Sequence, residues 1–198
     1  MSFVGGVGYS NIDLIYSGLD RLPDKGEEIF ARGFSMQFGG GIPATMINLS
    51  RLGVESRIIT FAGHDLFSEF VKKTLNSYPV KTVNLYKGNK MPVVLSSTLL
   101  YCGDRSFISY TDGMDLNDAV MDEVYENLKG AYVVDMHVGF LDVYKRLKKD
   151  GCIQIFDTGW EDDLTLEKYR DYLEIADYYI PNQKEAMKIT GTSSVEAA

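Results

Sequence analysis

Histidine and cysteine are both scarce here, two of each among 198 residues, and that scarcity removes several kinds of chemistry at once. Cys102 and Cys152 form no Cys-x-x-Cys pair and have no ligand-spaced histidines beside them. Neither a zinc site nor a disulfide framework is expected, and both are read as buried free thiols of a reducing compartment. His64 and His137 stand in distant segments, make no triad with either cysteine, and are assigned packing or surface roles. No run of about 18 apolar residues is present to span a bilayer. The apolar stretch Phe3-Val4-Gly5-Gly6-Val7 begins almost at Met1 with no basic leader before it, which points to a cytoplasmic protein with no membrane partner. Basic residues number 20 against 28 acidic ones, and the formal charge of −8 is scattered along the chain. Nucleic acid is thereby disfavoured as a partner.

What the chain does have is the apolar content of an ordinary globular domain, 45% hydrophobic, enough for one full core. Strand-like and helix-like segments alternate. Phe3 to Tyr9 reads as a Gly-punctuated strand, Ile42 to Leu52 as a helix stopped by Gly53, Ser56 to Ala62 as a buried strand, and Leu66 to Leu75 as a second helix. Between Val80 and Tyr110 the texture changes. Val93 to Tyr101 and Ser106 to Tyr110 are β-rich runs flanking the turn Cys102-Gly103-Asp104-Arg105, and Glu27 to Met36 has a similar look. These predict a small second sheet outside the main one, covering a site.

After Asp115 the alternation resumes. Leu116 to Leu128 is a helix, Ala131 to Met136 a strand, Phe140 to Lys149 a helix, and Cys152 to Asp157 a strand. Leu164 to Ile175, Tyr178 to Ile180, and Asn182 to Ile189 complete the series as helix, strand and helix. Near-continuously apolar strands predict an α/β fold with a mainly parallel sheet covered by helices on both faces.

Several clusters could carry chemistry. Gly39-Gly40-Gly41 leads into a helix with Pro43 in its first turn, either as a tight turn or as a place where a ligand approaches bare backbone N–H groups. No Lys-Ser/Thr pair follows, so a phosphate-cradling P-loop is not expected. Gly6-Val7-Gly8 imitates the start of a dinucleotide fingerprint, but Asn11 stands where the third glycine belongs. Asn11 and Asp13, two apart on extended chain, face one side and could grip adjacent sugar hydroxyls; an Asx turn is the alternative. Asn182 and Glu185 lie within one helical turn, as a capping box or as a carboxylate holding Mg²⁺ through water. Asp157 ends a parallel strand at its carboxyl end, where ligands collect in open α/β sheets, so it is a candidate for substrate contact; a simple turn is the alternative.

Taken in order, these pieces resemble the ribokinase-like (PfkB) carbohydrate kinases over essentially the whole chain. VGGVGYSNIDLIY is similar to the family's first strand with its Asn-x-Asp. LPDKGEEIFARGFSMQFGGGIPATMINLSRLG is similar to its Gly-Gly signature ending in Arg-Leu-Gly. GHDLFSEF, MPVVLSSTLLYCGDRSFISYTDGMDLN and DYYIPNQKEAMKITG follow as counterparts of its Gly-x-Asp region, its lid strands and its Asn-x-x-Glu segment. The resemblance implies ATP-dependent phosphorylation of a small sugar or related polyol, with Mg²⁺. Asn11 and Asp13 would contact the sugar, Gly39, Gly40 and Gly41 would lie against it, and Asn182 and Glu185 would serve the Mg²⁺-nucleotide side. The lid strands would exclude water and, as in some relatives, pair two copies as a homodimer.

Two positions depart from the pattern. Ala44 stands where relatives carry an Asn, and Asp157-Thr158-Gly159-Trp160-Glu161 replaces an Asp-x-Asn-x-Arg, so an uncharged sugar or nucleoside fits better than a phosphosugar. No Gly-Ala-Gly-Asp segment, the family's anion hole and catalytic base, occurs in residues 1–198. The expectation is therefore a substrate-binding half with the carboxy-terminal nucleotide part absent, inactive alone. A sugar-binding module without catalysis is the rival.

Overall fold

The computed structural model describes residues 2–198. Ten strands and six helices run in the order β1 (Phe3–Val7), β2 (Asn11–Leu19), β3 (Gly33–Gly39), α1 (Gly41–Arg51), β4 (Ser56–Thr60), α2 (Leu66–Asn76), β5 (Lys81–Asn84), β6 (Val94–Tyr101) and β7 (Asp104–Tyr110). Then follow α3 (Asp118–Leu128), β8 (Ala131–Met136), α4 (Leu141–Lys149), β9 (Ile153–Phe156), α5 (Leu166–Ile175), β10 (Tyr178–Tyr179) and α6 (Gln183–Thr190). The main sheet has the order β10-β9-β8-β1-β4-β5, and every neighbouring pair in it is parallel. This is the mainly parallel α/β sheet expected from the apolar strands.

Alternation along the central strands divides the core into two layers. Val4 and Ile58 face α1 and α2, packing with Ile42, Met46, Val71 and Leu75. Phe3, Val7 and Ile59 face the other side with Val124, Leu128, Tyr144 and Leu147 of α3 and α4. Gly6 and Gly8 let α1 settle onto β1, since a Cβ at either would come within 2.6 or 2.9 Å of the Ile42 side chain. That close approach brings the helix's N-terminus to the carboxyl end of the sheet.

The sheet is covered unevenly. Val133, Ile153, Ile155 and Tyr178 share the α1 side of β8, β9 and β10 by register. No described helix packs over β9 and β10 on that side; Tyr178 and Ile180 are 61% and 58% exposed, and β10 forms the sheet's edge.

The second sheet is the four-stranded β3-β2-β6-β7, in which β2 pairs parallel with β6 and antiparallel with β3. Its first strand is β2, so the chain leaves the main sheet at Gly8-Tyr9-Ser10 and enters the lid at once. The junction is fixed. Ser10 is fully buried, its hydroxyl 2.9 Å from that of Thr60, while Gly8 N–H donates to Ile59 and Val94 N–H to Ser10.

Three features differ from the sequence reading. Residues 27–32 are not strand: Glu27 turns back to accept from the Asp24 N–H and to pair with Arg21, and the lid strand begins only at Gly33. Lys81–Asn84, too short and polar to stand out, forms the far edge of the main sheet. Cys102 is exposed at the lid's hairpin turn with φ 50°, whereas Cys152 is buried, its thiol pushed up to about 11 chiefly by that burial.

Candidate functional site

Asn11 and Gly39 face each other across β2 and β3, with Asp13 opposite Gln37. This register sets the two polar residues on one face of the lid, directly beside the start of α1. The contact is tight: a Cβ on Gly39 would lie 2.5 Å from Asp13 Oδ2, so the carboxylate occupies the space a side chain would take. Gly40 is the N-cap of α1 with φ 105°, a conformation glycine adopts without cost, and has no side chain to cap the helix. Pro43 lacks an N–H, and no acidic residue stands in the first turn, which leaves the Gly41 and Ile42 N–H groups open to an incoming ligand oxygen. A Cβ on Gly41 would meet nothing within 4 Å. The three glycines thus do three different things.

Burial raises the Asp13 carboxyl above the usual carboxylate range, and the charge of Arg105 on β7 pulls it back. Further along the sheet's carboxyl end, Asp135 of β8 is raised to about 6. Loss of solvation is the main cause, opposed by the nearby Thr45 hydroxyl of α1 and reinforced by Asp157. Asp157, just past β9, is itself raised by partial burial and by Glu185. A row of acids therefore runs from the start of α1 to the start of α6.

At the far end, Asn182 and Glu185 form a capping box. Asn182 Oδ1 accepts from the Glu185 N–H and Glu185 Oε2 from the Asn182 N–H, both at 3.0 Å. Glu185 is only 4% exposed, which for a carboxylate requires such partners. One carboxylate oxygen stays uncommitted to the cap. A divalent cation would relieve the repulsion between Asp157 and Glu185, so the donors fit Mg²⁺ held through water. Among the described residues no group of three or more metal-binding side chains converges to hold an ion directly.

His137 lies beside Tyr9, at the point where the chain passes from the main sheet to the lid. It follows β8, its ring lies edge-on to Tyr9 at 5.8 Å, and Nδ1 is 2.8 Å from the Val138 carbonyl. Burial holds its pKa down, so the neutral ring donates from Nδ1 and leaves Nε2 as an acceptor. Phe61 and Phe140, stacked at 6.2 Å, back this aromatic group. Elsewhere, Asp65 of the Gly-x-Asp region is a helix cap, accepting from the Phe67 and Ser68 N–H groups at the start of α2.

The structure brings Asn11, Asp13 and Gly39–Gly41 together, and places Asp157 near Glu185 at the other end of the acidic row. Asp135 and Arg105 escaped the sequence reading. Asp135 ends a parallel strand as Asp157 does and could have been found by the same rule; Arg105 was absorbed into a turn.

A model of the pfkB family carbohydrate kinases matches residues 1–198, and the chain belongs to that family. An uncharacterized sugar kinase from Pyrococcus horikoshii is 35% identical over 92 residues, 44% of this chain and 30% of that protein. The fold is that of ribokinases. The Giardia lamblia enzyme superimposes with a TM-score of 0.81 at 19% identity, over 98% of this chain and 61% of that one. Arabidopsis thaliana ribokinase, solved with ribose and ATP, gives 0.75 at 23% identity, over 96% of this chain and 64% of that one. The chain therefore spans a little under two thirds of the length of these two ribokinases.

Proposed function

We propose that this chain is the sugar-binding portion of an ATP-dependent carbohydrate kinase, acting on a small uncharged sugar or polyol with Mg²⁺-ATP as phosphoryl donor. The observation that carries this is the polar face of the lid. Asn11 sits in register with Gly39 and the Asp13 carboxylate fills the space beside that glycine, both at the open N-terminus of α1, so hydroxyl-binding side chains and bare backbone donors converge on one space. Asp157 lines the same crevice, and Asn182 and Glu185 stand on the nucleotide and phosphate side. Bound Mg²⁺ would supply charge neutralisation of the phosphates. The lid shuts water out, since water competes with the sugar as acceptor.

The bare α1-side face of β9 and β10 supports a division of labour in which further polypeptide covers that face and completes the nucleotide site and catalytic base. A parallel sheet is ordinarily covered on both faces. A thermal-shift screen of this chain against D-ribose, D-fructose, a nucleoside and Mg²⁺-ATP tests both statements. Near-saturation by a neutral sugar is expected to add about 2.7 kcal/mol at a hundred times its Kd, read as a rise of several degrees, while Mg²⁺-ATP alone adds little. Stabilisation by Mg²⁺-ATP but by no sugar or nucleoside would contradict the proposal.

In this reading two copies pair through the outer faces of their lids in the cytoplasm. Phe34, Met36, Ile108 and Tyr110 lie on that face by register, all exposed, with Ile108 at 70%. Light scattering is expected to give a dimer for the wild type and a monomer for Ile108→Asp. A monomeric wild type rules the pairing out.

A further inference from the structure

Arg105 begins the last lid strand, and its place follows from register. Asp13 pairs with Ser96, Ser96 with Ser109, Thr98 with Phe107, and Leu100 with Arg105. Residues 105, 107 and 109 therefore share the face that carries Asn11 and Asp13, while neighbouring Asp104 points the other way and lies 3.9 Å from Lys184 of α6. The Arg105 guanidinium sits 5.7 Å from the centre of the Phe107 ring, along the strand in the direction of Asp13. No carboxylate among the described residues lies within ion-pair distance of it. On the same face Thr98 is 4% exposed and its hydroxyl has no partner. The inner lid thus holds an unpaired guanidinium, a carboxylate close enough to feel its charge, and an unmatched hydroxyl.

We infer that Arg105 is a specificity-determining residue of the sugar site: with Asp13 it forms a donor–acceptor pair on one face of the lid that grips two neighbouring hydroxyls of a neutral sugar. The inference rests on the sugar-kinase reading above. A hydroxyl both donates and accepts, so one can donate to the Asp13 carboxylate while its neighbour accepts from the guanidinium fork. A ligand carboxylate would instead set a second negative charge beside Asp13, at the end of a row already holding Asp135, Asp157 and Glu185. The pair therefore selects neutral diols over sugar acids. Arg105 also acts on Asp13 as a positioning residue by favouring its ionised, accepting form. The other groups facing Asp13 are neutral: Asn11 on its own strand, Gln37 and Gly39 on β3, and Ser96 on β6.

Isothermal titration of the wild type, Arg105→Gln and Arg105→Lys with D-ribose, D-fructose and D-gluconate tests this. The neutral sugar that binds the wild type is expected to bind Arg105→Gln about 10- to 100-fold more weakly, the usual worth of a hydrogen bond to a charged group, with partial recovery in Arg105→Lys. Affinity should fall on acidification as Asp13 protonates. Because Arg105 lowers the Asp13 pKa, that fall moves to higher pH in Arg105→Gln, a change that a purely structural arginine would not produce. Unchanged sugar affinity and an unchanged acid limb in Arg105→Gln would overturn the inference and leave the sugar site standing. Tighter binding of gluconate than of either sugar would overturn the neutral class. Failure of both sugars to bind the wild type would remove the sugar reading and this inference with it.

Discussion

Gly39→Ala is expected to weaken sugar binding about ten-fold to more than a hundred-fold while leaving the fold intact. The added methyl would lie 2.5 Å from Asp13 Oδ2 and 3.6 Å from the Asn11 Cβ, so the carboxylate must leave the position from which it accepts a hydroxyl. Gly39 lies outside the left-handed region, so the substitution adds crowding without backbone strain. Hydrogen bonds to a charged group contribute about 1.5–3 kcal/mol each, which places the loss in Kd at ten-fold to more than a hundred-fold for one displaced carboxylate. Calorimetry against the wild type checks this. Sugar binding by Gly39→Ala equal to that of the wild type would mean that Asp13 does not hold the sugar.

Asp135→Asn is expected to stabilise the protein at neutral pH, by as much as about 3 kcal/mol if Asn keeps the contact with Thr45. The carboxyl, ordinarily near 3.8, is raised to about 6 in the folded protein, chiefly by burial. Between those values the folded state binds more protons than the unfolded state, so stability falls as pH rises from 4 through 6, and above 6 the full cost of a buried charge is present. The amide has no charge to bury. Urea titrations of both proteins at acid and neutral pH should show the wild type losing ground to the variant as pH increases. A gap that stays constant across that interval would mean the Asp135 carboxyl is not raised.

Both residues show where the sequence could be read and where it could not. Ala131–Met136 was legible to its last residue as a strand because it is apolar almost throughout. For the same reason Asp135 inside it passed as an incidental polar position. The polar side chains of β2 were found by their spacing, but that β2 belongs to the lid depends on its ladders with β3 and β6, contacts between segments as much as 83 residues apart, as at Ile12 and Leu95, that no local pattern encodes. Glu27 to Phe30 has the alternation of a strand, yet Glu27 is taken by Arg21 and by a backbone N–H, and the segment loops. The capping box at Asn182 was legible from spacing alone and is formed. Its proximity to Asp157 needed the sheet order.

The buried Ser10–Thr60 contact has a mechanical consequence. It pins the lid to the main sheet one residue before Asn11, so the lid can move only as a lever whose fulcrum lies at the sugar end. At about 3.3 Å per residue, the strand from Ser10 to Ser17 is roughly 23 Å long, and Asp13 stands about 10 Å from the pivot. A rotation of about 10° would therefore carry Ser17 by ~4 Å and Asp13 by less than ~2 Å. Asn11 and Asp13 ride on the short arm and keep their aim, while the hairpin bearing Arg105 travels on the long one.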